Sequence, residues 1–255
     1  NSTTLLRSGF KISHSALTFG AGEQGAALDG GLTTMQYNPA SIASLSTISF
    51  ESGKRDAFIV DPAYALSWYR FGFHVKEIGS FALEYSQIDH GEIWYVTTAD
   101  NPDGYQSSSA THAFDRSYAL SYAAGISGSI SLGGAIRYIH SNIFSVEHVF
   151  FSSGILYQPV ELNKQLSVGF SLTDFGTPIH SHDIAQGDPA PAYMRLGVAA
   201  SPISNDNQKL TFLFEGSRLV ADVDNNYNGK SSFTALFSSF KYWPHDIMGH
   251  GGLIY

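Results

Sequence analysis

The sequence contains no cysteine, and charged residues are scarce. The first absence excludes disulfides, thiolate nucleophiles and metal sites with cysteine ligands. Asp, Glu, Lys and Arg make up only 14% of the 255 residues, against about 25% in an ordinary soluble domain. The formal net charge of -8 argues against nucleic-acid binding, which needs clustered Lys and Arg. No apolar run approaches the roughly 18 residues of a membrane helix, so a membrane crossing would have to use strands.

Aromatic residues are abundant instead, at 14% of the chain. Large apolar residues alternate strictly with small polar ones, which is the pattern of β-strands. In residues 165–173, for example, Leu166, Val168, Phe170 and Leu172 alternate with Gln, Ser, Gly and Thr. Candidate strands at the other positions are 47–52, 63–73, 80–86, 92–98, 117–125, 129–139, 146–157, 191–201, 209–219, 231–242 and 250–255. No helical segment is predicted after residue 45.

The face opposite the large residues consists of Ser, Gly and Ala, with a few charges at Glu84, Arg137, Arg195 and Glu215. The solvated face of a soluble sheet normally carries Lys, Glu, Thr and Arg. Bulky apolar residues against lipid and small polar residues in a confined interior are typical of a membrane barrel. We therefore predict an all-β fold, a transmembrane antiparallel β-barrel of about 12–14 strands. The four charges are expected to face the lumen and to pair there, because buried charges need partners.

An alternative fold stays open, namely a soluble secreted β-sandwich whose aromatic residues form the core. In the barrel, aromatic residues near strand ends would form the interfacial girdles of the bilayer. The candidates for these girdles are Trp68, Tyr69, Trp94, Tyr95, Tyr157, Tyr242 and Trp243.

The N-terminal region differs from the rest, because Asn38 followed by Pro39 is the signature of a capped helix start. A short helix over about 39–45 is predicted. We divide the chain into residues 1–45, an N-terminal lumen or plug segment, and residues 46–255, the transmembrane barrel.

Residues 19–45 resemble the N-terminal motif of the FadL/PorV superfamily of outer-membrane barrels. In that family a Gly- and Ala-rich stretch leads into a Trp/Tyr-Asn-Pro-Ala motif and a short helix, here Tyr37, Asn38, Pro39 and Ala40. Gly-punctuated hairpins extend the resemblance over most of residues 16–203. The resemblance implies a noncatalytic barrel in the outer membrane of a diderm bacterium, in contact with the lipid bilayer, with an N-terminal plug segment in its lumen.

Residues 210–222 and 233–244 are more similar to PorV, the barrel of the type IX secretion system. That branch implies a component of a protein-secretion or envelope assembly that receives secreted cargo. The FadL branch implies a channel for small hydrophobic compounds, and this alternative stays open. PorV-type chains carry a Pro-Asp-Ala-Arg-like stretch where this chain has residues 22–25. The family also permits two interpretations of the C-terminus: an incomplete barrel, or a terminal aromatic at Tyr255.

A G-x-G-x-x-G pattern at Gly20, Gly22 and Gly25 invites a comparison with dinucleotide-binding loops. That fingerprint requires a preceding strand and a following crossover helix. Residues 16–19 fit a strand, but the stretch after the pattern is too short and Gly-rich for the helix, although Glu51 lies at a plausible distance for a ribose contact. We therefore predict no nucleotide and no other cofactor, and we expect the glycines to meet neighbouring backbone.

Two polar loops carry weak metal-ligand patterns. His180, His182 and Asp183 would suit a divalent metal, and a run of oxygen donors at 100–103 would suit calcium. Solvated loop residues are the more ordinary interpretation, so no metal site is predicted. No G-x-S-x-G motif occurs and no Ser, His and acid are paired by spacing, so an enzyme is not predicted.

Overall fold

The computed structural model describes residues 14–56, 65–97, 106–143, 146–180, 187–205, 208–221, 230–238 and 247–254. Within them, ten antiparallel strands form one sheet in which each strand pairs with the next along the chain. The strands are β1 (Ser49–Asp56), β2 (Ala65–Val75), β3 (Gly79–Thr97), β4 (Gln106–Gly125), β5 (Ile130–Ser141), β6 (Val146–Tyr157), β7 (Leu166–Phe175), β8 (Tyr193–Ser204), β9 (Lys209–Leu219) and β10 (Met248–Ile254). The predicted all-β class is confirmed. Among the described residues β1 and β10 do not pair with each other, so the sheet is not closed.

Among the described residues, helices are short and few. They are α1 (Ala16–Gly20), α2 (Ser232–Ser238) and the 3₁₀ helices Gly31–Thr34, Pro39–Ser44 and Val160–Leu162. None of the helices among the described residues combines the length and apolarity that a membrane span needs.

The two ends of the sheet differ in the length of their connections. Three residues, 76–78, join β2 to β3, and four residues, 126–129, join β4 to β5. At the opposite end, 17 residues, 176–192, separate β7 from β8. We call these the short-turn end and the long-loop end.

The predicted alternation is borne out along the strands. In β7 the odd-numbered residues Ser167, Gly169, Ser171 and Thr173 are buried, while Phe170 on the other side is 42% exposed. Neighbouring strands repeat this arrangement, with Phe71, Leu83, Leu120 and Ile136 all exposed. We call the buried side of small polar residues the inner face and the exposed apolar side the outer face.

Residues 14–45, which we call the inner segment, pack against the inner face. At one edge of the sheet Thr33 Oγ1 donates to Glu51 Oε2 of β1 over 3.0 Å, and at the other edge His250 Nδ1 of β10 lies 3.0 Å from Gly22 O. The strands between them also contact this segment. A flat sheet of ten strands would be about 43 Å wide, so the sheet must curve around the segment.

Two glycines of the inner face permit the closest approaches. A Cβ at Gly169 would overlap Ala26 O, and a Cβ at Gly154 would overlap Asn38 Oδ1. The missing side chains of Gly154 on β6 and Gly169 on β7 therefore let the inner segment lie this close to the sheet.

The strand predicted at 231–242 is wrong, because residues Ser232–Ser238 form α2. Ser231 Oγ accepts a hydrogen bond from Thr234 N, which caps the helix start. Phe233 and Phe237, four residues apart, stack edge to face with centroids 5.3 Å apart. Spacing of four residues places both rings on one helix face, and this signal competed with the alternation.

Three other details of the sequence-based prediction need correction. The candidates 80–86 and 92–98 belong to one strand, β3, which has a bulge near His90. Residues 16–19 lie in α1 and do not form a strand. The helix predicted over 39–45 exists as the 3₁₀ helix Pro39–Ser44, capped by Asn38 as expected.

The girdle prediction fails for Trp68, which lies on the inner face and is 8% exposed. Its neighbour Tyr69 lies on the outer face and is 51% exposed, because successive strand residues point to opposite sides. Tyr157 also lies on the outer face. The side chains of Trp94 and Tyr95, and residues Tyr242 and Trp243, lie outside the described part of the structure.

Candidate functional site

The Tyr37–Ala40 motif is buried between the inner segment and the inner face. Asn38 makes three hydrogen bonds there: Oδ1 accepts from Ala40 N over 3.0 Å, and Nδ2 donates to Ala26 O and Ile155 O over 2.7 and 3.0 Å. Tyr37 O accepts from Ser171 Oγ over 2.6 Å. One asparagine therefore caps the 3₁₀ helix, holds the preceding loop and attaches both to β6.

A buried arginine, Arg70 on β2, fixes the middle of the inner segment. Its Nε donates to Glu84 Oε2 over 2.7 Å. Its two other nitrogens donate to Leu32 O over 3.0 Å and to Gln36 Oε1 over 2.9 Å. The side chain is fully buried, so these acceptors replace the water that a guanidinium would otherwise bind.

A second arginine, Arg137 on β5, extends this charge cluster across the inner face. Its Nη1 donates to Glu84 Oε1 over 2.8 Å, and its Nε donates to Asp174 Oδ1 over 3.2 Å. Glu84 thus pairs with arginines from two different strands. The cluster connects β2, β3, β5 and β7 by buried ion pairs.

Glu215 and Arg195 form a further ion pair on the inner face, with 2.8 Å between Oε1 and Nη1. The remaining oxygen, Oε2, accepts from Gly25 N and Ala26 N, each over 2.9 Å. All four sequence-predicted charges, Glu84, Arg137, Arg195 and Glu215, therefore have an opposite charge beside them.

The G-x-G-x-x-G loop binds a carboxylate of the same chain. Gly25, its last glycine, supplies one of the two N–H groups to Glu215. A Cβ at Gly22 would lie 3.3 Å from Gly251 O, as expected for contact with backbone. Gly25 instead lies against the Tyr37 side chain, and Gly20 has no neighbour within 4 Å of its Cβ position.

His14 completes the charge cluster of Arg70 and Glu84. Arg70 Nη2 lies 3.1 Å from His14 Nδ1, and an arginine can only donate, so Nδ1 is the unprotonated nitrogen. Burial lowers the pKa of this imidazole below its ordinary value of 6.5. The ring stacks on Trp68 with centroids 5.7 Å apart, so a neutral histidine ties the start of the inner segment to β2.

An apolar cluster fills the inner face toward the long-loop end. It joins side chains of β2, β3, β5 and β6 to the loop that precedes β8. Its members are Leu66, Trp68, Ile88, Ile139, Val146, Phe150, Ile179 and Ala190. The described inner face is thus covered by the inner segment, the charge cluster and this apolar cluster.

The outer face carries a row of four tyrosines across adjacent strands. Tyr69, Tyr85, Tyr118 and Tyr138 occupy directly paired positions on β2 to β5. One step nearer the long-loop end, the paired outer residues are all polar. They are Ser67, Gln87, Arg116, His140 and Glu147. The outer face therefore changes from apolar to polar along a sharp line.

A cleft of about 550 Å³ lies between α1 and β1. Leu17 and Leu32 line it from the inner segment, and Phe50 and Glu51 line it from β1.

The metal candidates gain no support from the described residues. His180 lies exposed after β7, while His182 and Asp183 lie outside the described part of the chain, as do residues 100–103. No group of three or more His, Asp or Glu side chains in the described ranges is placed to hold a metal ion.

The buried carboxylates of the inner face are engaged in structure. Glu84, Asp174 and Glu215 each pair with an arginine of the inner face. The arrangement suits the fixing of a peptide segment.

Sequence reasoning missed Arg70, Asp174 and His14. Arg70 shares the alternation of Trp68 and Gly72 opposite the aromatic residues, so the strand pattern contains a signal for it. Asp174 follows buried Thr173 and has a φ of 51°, which breaks the alternation, so no strand pattern places it inside. His14 lies outside any strand and has no such signal.

No family model matches the sequence, and no curated protein matches it.

Proposed function

We propose that the protein is a noncatalytic β-barrel of a diderm outer membrane, with its interior occupied by its own inner segment. We further propose that it serves a protein-secretion or envelope assembly, as PorV-like barrels do. The observation that carries the proposal is the exposed apolar outer face opposite a buried face of small and charged residues. A β-sandwich would cover its apolar faces with each other, whereas the described strands form one sheet.

The slope of the apolar band supports a barrel of tilted strands. Toward the long-loop end, the outward-pointing strand positions become polar at Arg116 on β4 and at Arg218 on β9, although Arg218 itself is covered and only 3% exposed. Through the paired residues, Arg116 corresponds to Glu147 on β6, and Arg218 corresponds to Ser153 on the same strand. Six residues of strand are about 20 Å, and the five steps from β4 to β9 span about 24 Å.

A drop of about 20 Å over about 24 Å corresponds to an inclination of roughly 40°, close to the 35–45° tilt of strands in membrane barrels. A horizontal bilayer around an upright barrel crosses successive strands at such displaced positions.

The covered inner face favours a role in an assembly over open conduction. Arg70, Asn38 and Glu215 attach the inner segment to the strands by buried polar bonds. Removal of the segment would take away two acceptors of Arg70, Leu32 O and Gln36 Oε1, and two N–H donors of Glu215, at a cost of about 1–3 kcal/mol for each unsatisfied group. The segment is therefore an integral part of the packed interior. The surfaces left for partners are the loops and the outer face.

A second candidate function is a FadL-like channel for small hydrophobic compounds. The cleft of about 550 Å³ beside α1 favours it, since Leu17, Leu32 and Phe50 provide apolar lining. Ligand sites of this size are common in proteins.

Three measurements on the detergent-extracted protein test these proposals. Heat-modifiable gel migration tests the barrel, because a closed barrel stays compact in detergent until it is boiled. Gentle co-purification tests the assembly, and uptake of a fluorescent fatty acid into liposomes tests the channel. We expect heat-modifiable migration, a stoichiometric large partner and no uptake.

Each outcome has a separate meaning. A protein that stays monomeric and soluble without detergent contradicts the barrel. A barrel that purifies alone and accelerates fatty-acid uptake contradicts the assembly and supports the channel.

A further inference from the structure

In the described part of the chain, the outermost edges of β1 and β10 are unpaired, which a membrane wall does not tolerate. Among the described residues, β1 pairs only with β2 and β10 pairs only with β9, so each has one edge without a strand partner. Backbone N–H and C=O groups that face lipid without a partner are costly, and open sheet edges do not occur against the hydrocarbon region. We call the gap between these edges the seam.

The segment around α1 contacts both sides of the seam. On the β1 side, the Arg55 guanidinium lies 4.1 Å from the centre of the Phe19 ring. On the β10 side, His250 Nδ1 lies 3.0 Å from Gly22 O and donates to it. Gly252 is also in contact with Ala21. Residues 19–22 therefore bridge the two edges.

The helix is chemically suited to that place. Its backbone bonds close within the segment, since Phe19 N donates to Ser15 O and Ala21 N donates to Leu17 O, each over 3.0 Å. Thr18 is fully buried, whereas Leu17 is 40% and Phe19 51% exposed. Backbone bonds made within the helix and apolar side chains turned outward both suit contact with a bilayer.

We propose that α1 completes the lipid-facing wall at the seam between β1 and β10. Leu17 and Phe19 contact bilayer acyl chains there, and Thr18 faces the interior. This inference rests on the proposed membrane function. The inner segment then has two roles, since it fills the interior and supplies one element of the wall.

The fit is closer at β10 than at β1. The cleft of about 550 Å³ separates residues 15–17 from residues 49–52 of β1. Leu17, Leu45 and Phe50 line this cleft with apolar side chains.

The absence of cysteine makes single-cysteine labelling a clean test. We would prepare Phe19→Cys, with Leu83→Cys and Phe170→Cys as outer-face controls and Lys76→Cys in the β2–β3 turn as an aqueous control. Each variant carries a nitroxide and is reconstituted in phosphatidylcholine vesicles. Collisions with oxygen, which concentrates in lipid, and with a water-soluble nickel chelate are then measured by electron paramagnetic resonance.

We expect labels at positions 19, 83 and 170 to collide several-fold more with oxygen than with the chelate, and the label at 76 to show the reverse. Lipid contact at 83 and 170 but water contact at 19 would overturn the seam proposal and leave the membrane function intact. Water contact at all positions would overturn both. Heat-modifiable migration verifies folding of each variant, and Leu17→Cys replaces Phe19→Cys if the latter does not fold.

Discussion

At the scale of single residues, Glu215 shows how one buried carboxylate fixes a glycine-rich loop. One oxygen pairs with Arg195, and the other accepts from two successive N–H groups, those of Gly25 and Ala26. Successive N–H groups in a Gly-rich turn form an anion-binding site in many proteins. Here the anion comes from β9, so a pattern associated with phosphate binding serves internal packing.

Replacement of this carboxylate is expected to destabilise the protein strongly. Glu215→Ala leaves Arg195 and two N–H groups buried without an acceptor, at a cost of about 3–5 kcal/mol. Glu215→Gln keeps one acceptor oxygen, so its cost should be smaller. The free energy of unfolding in urea, measured in lipid vesicles, checks both, with the exposed Glu161→Gln as the matched control. Equal stability of Glu215→Ala and the control would contradict the role of this carboxylate.

The residue scale is also where sequence reasoning is most fragile. Trp68 and Tyr69 are neighbours, yet one lies inside and the other outside, because a shift of one residue reverses the face. The alternation correctly places Glu84, Arg137, Arg195 and Glu215 opposite the aromatic residues. It does not reveal which charges meet, since their partners lie on strands far apart in sequence.

At the scale of elements, the depth of the inner segment depends on glycines of the strands. Gly169 of β7 lies directly against the Ala26 carbonyl. Gly134 of β5 is a suitable comparison, because the nearest atom to its Cβ position, Ser152 O, is 3.6 Å away.

Gly169→Ala should therefore displace the inner segment, whereas Gly134→Ala should not. We expect a loss of about 1–3 kcal/mol for the first, as for other overpacked sites, and a change within about 0.5 kcal/mol for the second. Limited proteolysis of the reconstituted protein gives an independent readout, because cleavage between residues 19 and 35 should accelerate only in Gly169→Ala. Equal cleavage rates in the two variants would contradict the proposed packing.

The elements that sequence reasoning misjudged share a physical cause. The 231–242 region alternates well enough for a strand, but the Ser231 cap and the Phe233–Phe237 spacing favour a helix once the chain leaves the sheet. The sequence pattern divides β3 into two candidate strands, because the bulge near His90 interrupts the alternation. Local pattern identifies most strands, whereas caps and bulges set where they end.

At the scale of the whole molecule, the proposed membrane setting accounts for both the scarce charge and the strict alternation. A protein that exposes its apolar face to lipid needs few surface charges, and the charges it keeps can serve the interior. Antiparallel pairing in sequence order follows from short connections. The curvature around residues 14–45 does not follow from any local pattern, because it depends on contacts between the N-terminal segment and strands up to β10.

A filled interior predicts that the intact protein does not conduct ions. In planar bilayers we expect no steady ohmic current from the purified protein, because the inner segment and the apolar cluster cover the described inner face. The double variant Asn38→Ala, Glu215→Ala removes the acceptors and donors that attach the segment to β6 and β9, so transient openings should appear. A variant with the exposed pair Glu161→Gln, Lys76→Gln serves as the control and should remain closed. Steady conduction by the unmodified protein would show that the segment does not seal the lumen, and it would favour the channel over the assembly component.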